Sequence, residues 1–332
     1  MAMSDYFQVF FKTKKGGRGI DYETAKAELL SVFRNYNIKL RLELPFKMRL
    51  HVSIEASNDE VARLADRLGY TYGILSAHEE PYLGEELQSH GTGRWVVGWI
   101  RFRDTKIHLT EIYRQDKKKL LDNAPHQRLF YIEKDGEVKQ AKGRRHKRGV
   151  SPSDAKFILN ISELNGDEVI LDPFAGIGGL VIECISKGFN VFASDLDSVV
   201  RPGLAYVTNN RCALADARKL PFKDGTFDTI ITEPPFSNKY RQSVIDSLPE
   251  LCRVIKPNGK LVLFIAQDMY DSITSYMKEV GFYLVRDFAL RRNDKLISHV
   301  LRFESAKSYP VIEVEQTASL LKNVNLTDCP TI

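Results

Sequence analysis

A chain of 332 residues, 43% hydrophobic and 27% charged, is too long for one ordinary core and too polar for a membrane bundle, so two compact units are expected. The net charge of +5 does not by itself argue for a nucleic-acid partner; no apolar run approaches the roughly 20 residues of a membrane helix, and "MAMSDYFQVFFKTKKGG" lacks the features of a signal peptide. A cytoplasmic protein without metal or disulfides is expected, because Cys184, Cys212, Cys252 and Cys329 form no C-x-x-C pair and the seven histidines show no ligand spacing.

In chain order, "FQVFFKT" reads as a strand, and "DYETAKAELLSVFRNYN" as a helix with Asp21 as its cap. "RLHVSIEA" alternates with period two, and "SNDEVARLADRLG" reads as a capped helix ending at Gly69. This strand-helix-strand-helix order suits a small α+β module of ferredoxin-like type over residues 1–75. Between 76 and 150, "GRWVVGWIRF" and "TKIHLTEIYRQ" suggest paired strands, and "RLFYIEKDGEVKQAK" a hairpin turning at Asp135-Gly136. The run "KQAKGRRHKR", residues 139–148, gathers six lysines and arginines with His146 and suits a polyanion, with Lys142, Arg144, Arg145, Lys147 and Arg148 as the contacts.

After the basic run, "SPSDAKFILNISEL" predicts a helix with proline in its first turn. Strands and helices then alternate through "EVILD", "GLVIECISKG", "NVFASD", a helix across Ser198 to Asn209, "FDTIIT", "QSVIDSLPELCRVI", "GKLVLFIA" and "DSITSYMKEVG". That alternation predicts a doubly wound α/β sheet. "FYLVRDFALRR" and "LISHVLRFE", joined by a short link around Asn293-Asp294, form an antiparallel terminal hairpin, and residues 306–332 read as a tail.

In an open parallel sheet, ligands bind beyond the carboxyl ends of the strands. "LDPFAGIGGL" places Asp172 at such an end and Gly176, Gly178 and Gly179 in the turn, without the sixth-position glycine of a dinucleotide fingerprint or the Gly-Lys-Ser/Thr of a P-loop. Asp172 suits an ammonium group better than a pyrophosphate. Asp195 closes the next strand, where a carboxylate can accept both hydroxyls of a ribose, while Asp197 can cap the following helix. Asp216 follows a short apolar strand, within reach of an adenine amine. An amino-acid end, a ribose and an adenine together describe S-adenosylmethionine.

"TIITEPPFSNKY" ends a strand abruptly at two prolines. The Pro234 carbonyl and the Glu233 carboxylate are then placed to accept from an exocyclic amine as charge develops on its nitrogen, with Phe236 offering a face to the base.

"LDPFAGIGG", "SDLD", "ADARKLPFKDGTFDTIITEPPF" and "LCRVIKPNGKLVLF" resemble the class I S-adenosylmethionine-dependent methyltransferases that methylate amines with an Asp/Asn-Pro-Pro-Tyr/Phe motif. With "SPSDAKFILNIS", "KAELLSVF" and "DRLGYTYGI", the chain is similar to the tRNA guanine-10 N2-methyltransferases. The resemblance implies a Rossmann-like methyltransferase domain over 151–305, a THUMP-like RNA-binding region over 76–150, and a tail over 306–332. It implies cofactor contacts at Asp172, Gly176, Gly178, Asp195 and Asp216, with Pro173 and Ala217 beside them, and a base-amine site at Glu233, Pro234, Pro235 and Phe236. It further implies tRNA as partner and, for some relatives, a small zinc-binding activator protein. The sequence departs from the motif at Glu233, whose extra methylene moves the carboxylate by roughly an ångström, an offset that can cost about a hundredfold in rate. DNA adenine-N6 or cytosine-N4 methylation, and an RNA-binding protein of the same fold without turnover, are the alternatives.

Overall fold

The computed structural model describes residues 5–12, 20–46, 49–92, 95–115, 130–134, 137–141, 150–291 and 297–305. Asp21 starts the first helix as expected, its carboxylate accepting from the Thr24 amide at 2.8 Å and the Thr24 hydroxyl at 2.6 Å. Elements β1 (Asp5–Phe11), α1 (Tyr22–Asn35), β2 (Leu40–Phe46), β3 (Arg49–Ile54), α2 (Asn58–Ala65) and β4 (Thr71–Pro81) run in β-α-β-β-α-β order. Their strands lie antiparallel as β2-β3-β1-β4. Beyond β4 the same sheet continues through β7 (Thr105–Arg114), β6 (Trp95–Phe102) and β5 (Ser89–Thr92), reaching seven strands.

Sequence periodicity missed β2 and β4. Pro45 interrupts the pattern of β2, which tolerates it as an edge strand. α2 ends at Ala65 rather than Gly69, because the buried carboxylate of Glu28 accepts from the amides of Gly69, at 2.7 Å, and Tyr70, at 2.9 Å, and draws the chain off the helix axis. A hairpin of β8 (Phe130–Lys134) and β9 (Glu137–Ala141) forms in register, with Lys134 opposite Glu137; its expected turn at Asp135-Gly136 lies outside the described residues.

The C-terminal half begins with α3 (Pro152–Ile161), capped by Ser151 with Pro152 in its first turn. The elements β10 (Val169–Asp172), α4 (Gly179–Ser186), β11 (Asn190–Asp195), α5 (Arg201–Thr208), β12 (Cys212–Leu214), β13 (Phe227–Thr232), α6 (Arg241–Val254), β14 (Ile255–Ala266), α7 (Tyr270–Glu279), β15 (Phe282–Arg291) and β16 (Ile297–Ser305) follow. They build a second seven-stranded sheet in the order β12-β11-β10-β13-β14-β16-β15. The first five of these strands are parallel; β16 enters antiparallel between β14 and β15, as the terminal hairpin requires. Strand order reverses between β10 and β13, which opens the crevice where such sheets hold ligands. Among the described residues, no helix is long and apolar enough to cross a membrane.

One hydrophobic core runs through both halves, joining Phe7, Leu29 and Val52 to Phe157, Val181 and Phe264. Its seam is α3. Tyr70 stacks on Phe157 with centroids 4.7 Å apart, and its hydroxyl donates to Asp154 at 2.7 Å. Asn160 donates to Glu28 at 2.9 Å and to the Arg67 carbonyl at 3.0 Å. The chain comes so close at Gly69 that a Cβ there would lie 2.1 Å from the Ser153 carbonyl oxygen, so only glycine fits.

Candidate active site

The glycine turn follows β10. Asp172 ends that strand 3% exposed, and burial drives its carboxyl up to about 7 while hydrogen bonds and the Asp195 charge act as smaller influences. The Thr232 hydroxyl donates to Asp172 Oδ1 at 2.6 Å, and the Phe174 amide does so at 3.2 Å. Gly176 and Gly178 stand at φ 51° and 84°, in the left-handed region, and Gly178 opens α4. Pro173, which follows Asp172, is buried.

Asp195, at the end of β11, holds the turn from the side: its Oδ2 accepts from the Gly176 amide at 2.7 Å and its Oδ1 from the Asp197 amide at 2.8 Å. Each carboxylate oxygen has a second lone pair, so this bracing leaves acceptor capacity for ligand hydroxyls. Asp197 accepts from the Val199 amide at 3.0 Å in a turn ahead of α5, whose cap position is Val200, and the helix starts at Arg201 rather than Ser198. Asp216 follows β12, where the Arg218 guanidinium engages both its oxygens and holds its carboxyl below the usual carboxylate range; Ala217 is buried beside it.

β13 stops after Thr232, and Glu233, Pro234, Pro235 and Phe236 leave the sheet without regular structure. Pro234 is buried, Glu233 and Pro235 are half-buried, and Phe236 meets Phe264 edge to face, centroids 5.4 Å apart at 88°. β10 and β13 are neighbours, with Leu171 opposite Ile230. The Thr232 to Asp172 hydrogen bond therefore ties the mouth of one strand to the mouth of the other, next to the glycine turn on one side and the Glu-Pro-Pro-Phe segment on the other.

Sequence reading missed Thr232, because a threonine at the end of a strand is ordinary; only its neighbour Asp172 gives it meaning. It also left unassigned a polar group at the end of β14 and in the terminal hairpin. There His299 bonds Asp287 at 2.8 Å and Gln267 at 2.6 Å, and the Tyr270 hydroxyl donates to Asp287 at 2.8 Å. Lys142, Arg144, Arg145, Lys147 and Arg148 lie outside the described residues.

A family model described as a methyltransferase domain matches residues 171–263, from the end of β10 through the glycine turn and the Glu-Pro-Pro-Phe segment into β14. The chain resembles the class I S-adenosylmethionine-dependent methyltransferases, and among them the tRNA guanine-10 N2-methyltransferases. A tRNA (guanine(10)-N2)-dimethyltransferase of Methanothermobacter thermautotrophicus is 34% identical over 105 residues, 28% of this chain and 31% of that protein. The enzyme of the same name from Methanocaldococcus jannaschii is 24% identical over 244 residues, 62% of this chain and 64% of its own length. The matches thus span from just under a third to just under two thirds of these relatives. TrmN from Thermus thermophilus superposes with a TM-score of 0.50 at 14% identity, covering 91% of this chain and 99% of that one, a likeness of fold.

Proposed function

We propose that this protein transfers a methyl group from S-adenosylmethionine to the exocyclic N2 amine of a guanine in tRNA. The observation that carries the proposal is the Thr232 to Asp172 hydrogen bond at 2.6 Å, which joins a donor-side turn to an acceptor-side strand end. The crevice fits the cofactor. A buried acid at about 7 gains a partner in the cofactor's ammonium group, and the two left-handed glycines bring backbone close to the ligand. Asp195 keeps acceptor capacity for the ribose hydroxyls, and Asp216 with Ala217 lies at the adenine end. When bound, the cofactor supplies a methyl group already activated on a sulfonium, so the protein contributes mainly position and electrostatics.

On the acceptor side, the Pro234 carbonyl and the Glu233 carboxylate accept from the amine's N–H bonds and so favour the charge that develops on its nitrogen. Proline rings hold the carbonyl still. Phe236, anchored on Phe264, offers the base its stacking surface. The choice of guanine and of tRNA is supported by the names of the relatives, and the THUMP-like region over 76–150 with its basic run supplies the grip on RNA.

Nucleoside mass analysis of tRNA treated with the purified protein and labelled cofactor tests this reading. N2-methylated guanosine is expected; label on duplex DNA alone contradicts it. Glu233 favours a second reading, an RNA-binding protein without turnover. That reading predicts that Glu233→Asp creates transfer where the parent shows none.

A further inference from the structure

The seam between the two halves holds a cavity of about 320 Å3, which at about 30 Å3 per water has room for about ten waters or one small molecule. The last turns of α1, α3 and α4 meet there. Val32 and Leu159 line it as buried residues, and Leu164 and Phe189 as partly buried ones, so much of its wall is apolar.

The charged groups of this cavity are poorly matched. Glu183, on the last turn of α4, is 6% exposed, and its Oε1 has no hydrogen-bond partner among the described residues. Lys187 Nζ stands 3.8 Å from that oxygen, an ion pair too long to be a hydrogen bond. Lys156, whose charge also reaches Glu183, spends its ammonium on the Asp66 carbonyl at 2.5 Å. Burial pushes the Glu183 carboxyl up and pulls the Lys187 ammonium down, as expected of charges that lack partners. Arg67 is the other cation in the wall. Its carbonyl is held by Asn160 at 3.0 Å, and its guanidinium lies 5.4 Å over the Tyr36 ring, a pose that keeps the N–H donors in the guanidinium plane for another partner.

We propose that this cavity binds a free α-amino acid with an apolar side chain: its ammonium donates to Glu183, its carboxylate accepts from Lys187 and Arg67, and its side chain lies against Leu159, Leu164 and Phe189. Three helix carboxyl ends favour a cationic group beside Glu183. A simple anion would leave the Glu183 oxygen unmet, and a simple amine would leave both cations unmet. The site is separate from the cofactor crevice, because Gly178 opens α4 at the glycine turn while Glu183 and Lys187 stand at the other end of the helix. Nothing in it depends on which substrate is methylated.

Titration calorimetry of the full chain with L-leucine, L-methionine and L-phenylalanine at millimolar concentration is the test. At least one is expected to bind, and S-adenosylhomocysteine is expected not to displace it. For the tightest binder, the matching amine without the carboxylate and the matching acid without the ammonium should each bind about 10- to 100-fold more weakly. Glu183→Gln and Lys187→Met should each weaken the amino acid by about 10- to 100-fold as well. S-adenosylhomocysteine affinity reports that each variant is folded, and the analogue series on the parent needs no variant at all. If none of the three amino acids binds the parent, the cavity holds water alone and the proposal is overturned. Displacement by S-adenosylhomocysteine overturns it too, as does equal binding by the analogues or by the folded variants.

Discussion

The C-terminal sheet has a large buried cluster on each face and places Asp172, Asp195 and Asp216 at or just after strand ends; the N-terminal sheet shares the large core on one face and carries only a small buried cluster of Phe10, Leu75, Trp95 and Leu109 on the other. Both have seven strands. The difference lies in strand direction. Parallel strands send all their carboxyl ends to one edge, and there Asp172, Asp195, Asp216 and Glu233 collect. Antiparallel strands distribute their ends, and what they offer a partner is a surface.

If the strand ends of the C-terminal sheet hold the cofactor and the N-terminal sheet does not, Asp172→Ala should separate them. Cofactor affinity should fall by about a hundredfold, because a buried charged partner is lost, while binding of tRNA stays as in the parent. Titration calorimetry reads the first and anisotropy the second. The same residue sets a pH dependence. With its folded-state value raised from 3.8 to about 7, Asp172 favours the cofactor-free fold most at low pH, and that stability is lost as pH rises between those values. Cofactor binding needs the ionised form, so affinity should rise through about pH 7 and level off above it, with proton release measured in two buffers. A flat profile would break the assignment.

Glu233→Ala or Pro234→Ala should lower the transfer rate by about a hundredfold at unchanged cofactor affinity, because only the acceptor side is disturbed. Single-turnover transfer measures it; a loss of cofactor affinity instead would place these residues on the donor side.

The seam between the sheets is the next point of attack. Glu28→Ala strips partners from the Gly69 and Tyr70 amides and from Asn160, and should cost about 2–3 kcal/mol in urea unfolding. Thr232→Val, which removes one hydrogen bond from the crevice, should weaken the cofactor by only about fivefold.

Much of the C-terminal half was legible because β-branched runs and helical periods alternate there at regular lengths, and because strand-end acids stand next to glycines and prolines. The acids Asp172 and Asp195 and the Glu-Pro-Pro-Phe segment came out of that pattern; Asp195 braces the glycine turn, and Thr232, just before Glu233, bonds Asp172. Other features depend on contacts across long stretches of chain. The end of α2 is set by Glu28, 41 residues before Gly69, and the role of Thr232 by Asp172, 60 residues earlier. β2, with its proline, and the row of Arg49, Phe10, Gly73 and Arg114 across β3, β1, β4 and β7 become visible only when strands are laid in register. Periodicity reports which way a side chain faces, not which side chain meets it from another strand.

Hydrogen exchange with mass analysis, with and without S-adenosylhomocysteine, tests the central claim directly, since it reads both strand mouths in one experiment. Added protection is predicted in residues 172–179, 193–199 and 230–237 together, with β1 and β3 unchanged. Protection confined to segments outside those three, or found in the glycine turn without the Glu-Pro-Pro-Phe segment, would contradict a single shared crevice.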